Sequence, residues 1–288
     1  MEPMVIFCKS YRKDVLRAKR LAESVQRYNR DRLPFYLSVP GEDTVLFREQ
    51  LAGMEFTLLT DEEILATNPR HSAALMTEMP GNLLQQVVKS EFWRLELCRN
   101  YLMIDSDSYF IHDFRITDFM YDEQTPYTVM HEGRELLSFA ARNSREKIRR
   151  NFAKDRKAAQ QLFNRPGRIY DFGPTPIICS CNVWKDLTEQ YGTSHNMSFA
   201  DMIRMFPNEM LWYGEALLHY QSVPVMPVEP LFKVFHYKEQ YEESLLLKEN
   251  EQILAENYLG IITQSNWDES LDVIRRKKRS WKTLWLKR

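Results

Sequence analysis

Tyr101-Leu102-Met103-Ile104-Asp105-Ser106-Asp107-Ser108-Tyr109-Phe110 decides how this chain is read. An apolar run ends abruptly in two carboxylates one residue apart, and apolar residues soon resume. The run predicts a buried strand, and a strand end is a rigid place to hold two like charges together. Hard divalent cations such as Mg²⁺ or Mn²⁺ take oxygen ligands of this kind and keep open positions for phosphate oxygens. Asp105 and Asp107 are therefore candidate metal ligands facing a diphosphate. The competing reading is an Asx-type turn whose carboxylates only cap backbone amides.

Upstream of this run, residues 4–8 predict a first buried strand. A helix follows with Val15, Ala18, Leu21, Ala22, Val25 and Tyr28 on one face. Strands are expected at 33–40 and 55–60, and a helix at 83–98 that feeds the acidic strand. Strands separated by helices imply βαβ units and a mainly parallel sheet, an α/β fold. Downstream, strands are expected at 125–131, 175–181 and 228–237, and helices at 183–191, 198–206, 212–220 and 238–257. Residues 134–168 read as a charged helical insert that projects from the domain or folds over the site as a lid. With no repeat and no linker, the division is one catalytic domain over 1–267 and a basic amphipathic tail over 268–288.

The 288 residues are 44% hydrophobic and 12% aromatic, with nine glycines, enough for a substantial core and unlike a low-complexity chain. The net charge of −1 hides an uneven distribution: 275–288 and 142–168 are basic, and the remainder is acidic. The tail carries Trp281, Leu284, Trp285 and Leu286 among its cations, a composition suited to an anionic membrane surface or to docking on the domain. Cys8, Cys98, Cys179 and Cys181 have no zinc-site spacing and read as reduced thiols, which points to the cytoplasm. The N-terminus resembles a first strand more than a secretory signal, and no stretch of about 18 apolar residues would span a membrane.

In an open α/β sheet, ligands bind at the carboxyl ends of parallel strands. Lys9, Ser10 and Tyr11 follow the first strand, Thr60 and Asp61 the third, and Ser106 lies between the two acids. That inventory of a cation, hydroxyls, a ring and carboxylates suits a nucleoside diphosphate with a bridging metal. Gln86 and Lys89, at helical spacing on 83–98, are further candidates for sugar or phosphate contact.

An apolar strand ending in Asp-x-Asp after such a half-fold resembles the GT-A glycosyltransferases. Gly81–Lys89, Phe172-Gly173-Pro174-Thr175-Pro176, Trp212-Tyr213-Gly214-Glu215 and Thr263-Gln264-Ser265-Asn266-Trp267 look like a bacterial family of glycosyltransferase-like proteins from capsule and lipopolysaccharide gene clusters. The resemblance implies a GT-A-like fold and transfer of a sugar from a nucleoside-diphosphate sugar, UDP- or GDP-linked, to a surface glycan or lipid-linked acceptor. It implies that Asp105 and Asp107 hold Mn²⁺ or Mg²⁺ and that a late histidine, His236, completes the metal shell. The other reading of His236 is a half-buried strand end. By resemblance Thr175 lines the acceptor or sugar pocket. Trp212 and Tyr213 offer stacking faces to an acceptor, and Glu215, or Asp201 in its place, is the candidate general base of an inverting reaction. The bland alternative is an aromatic core helix with one exposed acid.

Two other classes compete. A haloacid-dehalogenase-type phosphatase also uses Asp-x-Asp, with Asp105 as nucleophile, but would carry it on its first core strand. A nucleic-acid binder would use the basic segments, yet 142–168 has little aromatic interleaving, so nucleic acid is not expected as a partner.

Overall fold

A computed structural model describes residues 1–72 and 74–272. The basic tail, and with it the expectation of a membrane-facing segment, lies outside the described residues. No helix among them is long and apolar enough to cross a membrane.

The central sheet contains β1 (Glu2–Lys9), β2 (Phe35–Val39), β3 (Thr57–Thr60), β4 (Cys98–Asp105) and β7 (Ile177–Ser180), in the order β3-β2-β1-β4-β7. The first four are parallel, and β7 runs antiparallel to β4. The mainly parallel α/β class expected from the sequence is thus observed. A second sheet joins β5 (Ser108–Phe110), β10 (Gly260–Thr263) and β9 (Phe232–Phe235) in that order, and β6 (Thr128–Val129) pairs with β8 (Pro227–Val228).

β4 is apolar throughout its middle because both of its faces are covered. Side chains alternate across a strand. Tyr101 and Met103 therefore join Val5 and Phe7 in one core, under Leu84, Val87 and Val88 of the helix Gly81–Glu91. Leu102 and Ile104 join Met4, Ile6 and Cys8 in the other, under Val15, Leu21 and Val25 of the helix Val15–Tyr28. Phe110, Phe232 and Ile262 of the second sheet pack into this second core. The chain passes from the large sheet to the small one within the two-residue turn Ser106-Asp107.

Several boundaries differ from those expected. The helix predicted to 98 ends at Glu91, followed by a 3₁₀ turn Phe92–Leu95 and a left-handed Glu96 with φ 54°. The Glu91 carboxylate is drawn inward by Asn68, His71 and Arg94, and Phe92 stacks on Phe7 at 3.9 Å. The insert is two helices, Arg134–Arg142 and Glu146–Leu162, and it lies against the domain instead of projecting: Phe139 stacks on Tyr237 and Arg145 pairs with Glu239. The strand expected at 228–237 is two short pieces, and β5 and β10 were not expected at all. Strands this short carry too few residues to show a period.

Phe172–Pro176 and Trp212–Glu215 interlock. A Cβ on Gly214 would stand 2.0 Å from the Phe172 ring, and one on Gly173 would stand 2.7 Å from Met210 Sδ. Glycine at 214 thus lets the ring press against the backbone of the helix Glu209–Tyr220. Gly214→Ala is expected to destabilise the fold by about 1–3 kcal/mol through overpacking. A urea unfolding midpoint equal to that of the parent would show that this close packing does not hold the two segments together.

Candidate functional site at the strand ends

The order β3-β2-β1-β4 reverses direction between β1 and β4, and such a switch point opens a crevice at the carboxyl ends of the strands. Lys9, the last residue of β1, is directly opposite Asp105, the last of β4. Asp105 keeps 38% of its side-chain surface open. Its Oδ1 accepts from Lys89 Nζ at 3.1 Å and its Oδ2 from the Thr175 hydroxyl at 2.6 Å. Burial pushes its carboxyl upward, but the Lys89 ammonium and the Thr175 hydroxyl more than reverse this, so its pKa lies below the usual value.

Asp107 is fixed by the far end of the chain. Its Oδ2 accepts the Ser265 amide at 3.0 Å, and its carbonyl accepts the Thr263 amide and Arg20 Nη2, both at 3.3 Å. Burial, with the Asp105 charge beside it, raises its pKa to about 7 despite the Ser265 amide. The pair thus divides into one ionised carboxylate and one poised near neutrality, because Lys89 and Thr175 serve Asp105 whereas burial dominates at Asp107.

Lys89 is buried between two acids, 3.1 Å from Asp105 and 2.5 Å from Glu209 Oε1. Burial lowers an ammonium's pKa, yet these two carboxylates outweigh it and hold the Lys89 pKa above the ordinary lysine value. Glu209 opens the helix Glu209–Tyr220, where a negative charge also meets the helix dipole. Sequence reasoning missed Glu209, Ser265 and Arg20. A helix-opening Glu after an Asn cap was the one available signal for Glu209; Ser265 lay in a quoted motif without a role.

The remaining expected residues are placed as follows. Lys9 is committed to Asp61 at 3.1 Å and to the Ser10 carbonyl at 2.8 Å, and Asp61 also accepts from the Ser38 hydroxyl. This corrects Lys9 from a phosphate ligand to a strut under the crevice. Lys89 is corrected likewise, because Asp105 and Glu209 enclose its ammonium. The Ser10 hydroxyl is buried and has no hydrogen-bond partner among the described residues. Tyr11 is exposed, with its ring centre 5.8 Å from Lys9 Nζ. Ser106 is buried in the turn. Gln86 donates to the Asn82 carbonyl, and its Oε1 is a buried atom without a partner among the described residues.

The candidate bases are corrected. Glu215 is fully buried, and Arg165 grips both its oxygens at 2.6 and 2.9 Å. Asp201 closes a capping box with Ser198 and pairs with Arg204. Burial raises the Asp201 pKa, but the Ser198 contacts outweigh it and leave it below the usual value, which suits a cap better than a base. Trp212 and Tyr213 are core residues: the Trp212 indole donates to the Phe206 carbonyl, and the Tyr213 hydroxyl accepts the Ser180 amide. Thr175 holds Asp105 and is buried, so it does not face an acceptor.

His236 also departs from expectation. Among the described residues no three His, Cys, Asp or Glu side chains converge as a metal site. After its own burial, His236 feels chiefly Asp171, Glu135, Arg156 and His131, whereas Asp107 feels Asp105, Asp14 and Arg17. The imidazole lines a neighbouring cavity, where its Nδ1 is 3.4 Å from Nε2 of Gln264, the residue before the Ser265 that holds Asp107.

Asp105 and Asp107 still fit a hard cation as two oxygen ligands. Burial beside a second carboxylate raises the Asp107 pKa, and a divalent ion taking these two would leave its other positions to water and phosphate.

The family of unknown function DUF6492 matches residues 3–278. No curated protein matches the sequence. Among solved structures, the crystal structure of mouse xyloside xylosyltransferase 1 in its apo form aligns with a TM-score of 0.48 at 7% identity, covering 91% of this chain and 98% of that one.

Two outcomes test the electrostatics. Lys89→Met leaves Glu209 buried and unpaired and is expected to cost about 3–5 kcal/mol in chemical unfolding, with part recovered in Lys89→Met/Glu209→Met. A loss under 1 kcal/mol would contradict the buried bridge. In chelator, Asp107 holds its proton more tightly folded than unfolded. Its contribution to stability is therefore present in acid and declines as pH rises from about 4 to about 7. Asp107→Asn is expected to flatten that part of the stability profile, and an unchanged slope would remove the assignment.

Proposed function

We propose, for a chain that belongs to the DUF6492 family of unknown function, a metal-dependent transfer of a glycosyl group from a nucleoside-diphosphate sugar. The observation that supports it is the placement of Asp105 and Asp107 in the crevice where the strand order reverses, one ionised and one poised near neutrality. In the reaction the bond between the sugar's anomeric carbon and the diphosphate oxygen breaks, the diphosphate leaves with that bond's electron pair, and an acceptor hydroxyl bonds to the carbon and gives up its proton to water. A bound Mn²⁺ or Mg²⁺ supplies positive charge against the departing diphosphate. Asp105 and Asp107 hold it. Lys89 and Thr175 fix the Asp105 carboxylate, and the Ser265 amide fixes that of Asp107. The exposed Tyr11 ring, following β1, offers a contact to the nucleotide. The reading assigns no general base, since Glu215 and Asp201 are committed elsewhere.

The acceptor in this proposal is a surface glycan or its lipid carrier, at the cytoplasmic face of a membrane. That part rests on the sequence resemblance and on the basic, tryptophan-bearing residues 275–288. Two competing readings lose support. A phosphatase of that kind would carry its nucleophile at the end of its first core strand, whereas Asp105 ends β4, with β1, β2 and β3 before it in the chain. A nucleic-acid interface interleaves stacking rings with its cations, and the two aromatic residues of 142–168, Phe152 and Phe163, are buried.

The test is thermal unfolding with UDP or GDP, each with and without Mn²⁺. Stabilisation is expected only when nucleotide and metal are both present, about 2.7 kcal/mol at a hundredfold excess over Kd. Asp107→Ala should abolish it. A response that survives in Asp107→Ala, or one that needs no metal, overturns the proposal.

A further inference from the structure

Beside the acid pair lies a second feature, a cavity of about 420 Å³ between residues 170–174, the start of the helix Arg134–Arg142 and β9. That volume is within the range of small-molecule pockets, about 300–1,000 Å³. Tyr170, Tyr258, Phe232 and Pro174 give it apolar and aromatic walls, and His236 and Asp171 are among its polar groups. Two short backbone steps join it to the acids. Pro174 lines the cavity while Thr175 holds Asp105, and Gln264 touches His236 while Ser265 holds Asp107.

The charges around this cavity decide what it accepts. Arg156 is held by Asp171 at 2.8 Å, Lys233 by Glu135, and both Arg134 and Arg168 by Glu132. Arg134 and Arg168 share one carboxylate, so these pairings leave a single positive charge over. Glu229, exposed on the lining, adds a negative charge. The His236 ring is kept uncharged by burial, which lowers its pKa. A phosphate or carboxylate entering here meets acids and occupied cations, whereas an uncharged ring with hydroxyls meets aromatic faces and hydrogen-bonding groups.

We infer that this cavity binds an uncharged glycoside, next to the crevice, and discriminates against uronates and phosphorylated sugars. Calling that glycoside the acceptor rests on the transferase reading above; its binding does not. The arrangement separates two chemistries, with the anionic nucleotide at the strand ends and the neutral sugar in the cavity.

The experiment titrates a panel of neutral methyl pyranosides and a methyl glucuronoside into the full chain, read by ligand-observed NMR. At least one neutral glycoside is expected to bind, with the uronate weaker by about tenfold. Tyr258→Ala should weaken the neutral glycoside about fivefold or more by removing one aromatic wall, and leave the UDP and Mn²⁺ response intact. Glu229→Arg, on an exposed position, should raise uronate binding relative to the neutral glycoside about tenfold. Equal binding of uronate and neutral glycoside, binding indifferent to both substitutions, or no binding by any member of the panel overturns the inference. Glycoside binding that persists while the nucleotide response fails overturns the transferase proposal and leaves the cavity assignment standing. The reverse result overturns the cavity assignment alone.

Discussion

The Lys89 ammonium, buried between Asp105 and Glu209, is the interaction on which the site depends. A charge out of water is tolerated only with its partners in place, and its partners are tolerated only with it. The bridge ties three elements together: the helix Gly81–Glu91, the tip of β4 and the start of the helix Glu209–Tyr220. Thr175 adds the loop before β7. The orientation of Asp105 follows from this framework. What leaves it reachable is that its own side chain remains partly open, while Lys89 and Glu209 do not.

The interlocked aromatic segments support that framework from behind. Phe172 lies in a small core with Ala159 and Leu211, and its ring sits where Gly214 has no side chain. Packing at interior density transmits position from one segment to the next. Thr175 is therefore placed by residues that never approach the crevice. Arg165 and Glu215 close the same region with a buried pair.

How much of this could be read from the sequence follows from what kind of information each residue carries. Asp105 and Asp107 were legible because a fully buried strand needs an unbroken apolar run, and the break in that run marks its end. The parallel sheet was legible because apolar strand candidates alternate with helical segments along the first hundred residues. Lys89, Lys9 and Glu215 were recognised as residue types but misjudged in role. A charged residue looks the same in sequence whether it faces a ligand or a buried counter-ion, and Asp61, Glu209 and Arg165 are far away along the chain. Trp212 and Tyr213 failed for a related reason, since aromatic rings suit both a sugar face and a core. His236 was placed correctly at a strand end, but its neighbours are set by the path of the insert, which charge and periodicity did not define.

The turn Ser106-Asp107 joins two sheets that are completed at different times during synthesis. The large sheet has all its strands once the ribosome has passed Ser180, and domains tend to fold from their N-terminal parts as they emerge. Asp107, however, waits for the amide of Ser265 and for β10 beside β5. A nascent chain that has passed Glu209 would therefore contain every partner of Asp105 and Lys89 while the second carboxylate is still unanchored. The two carboxylates are both fixed only when the segment that follows β10 is in place, so loosening of that segment alone would free Asp107 while Asp105 stays held.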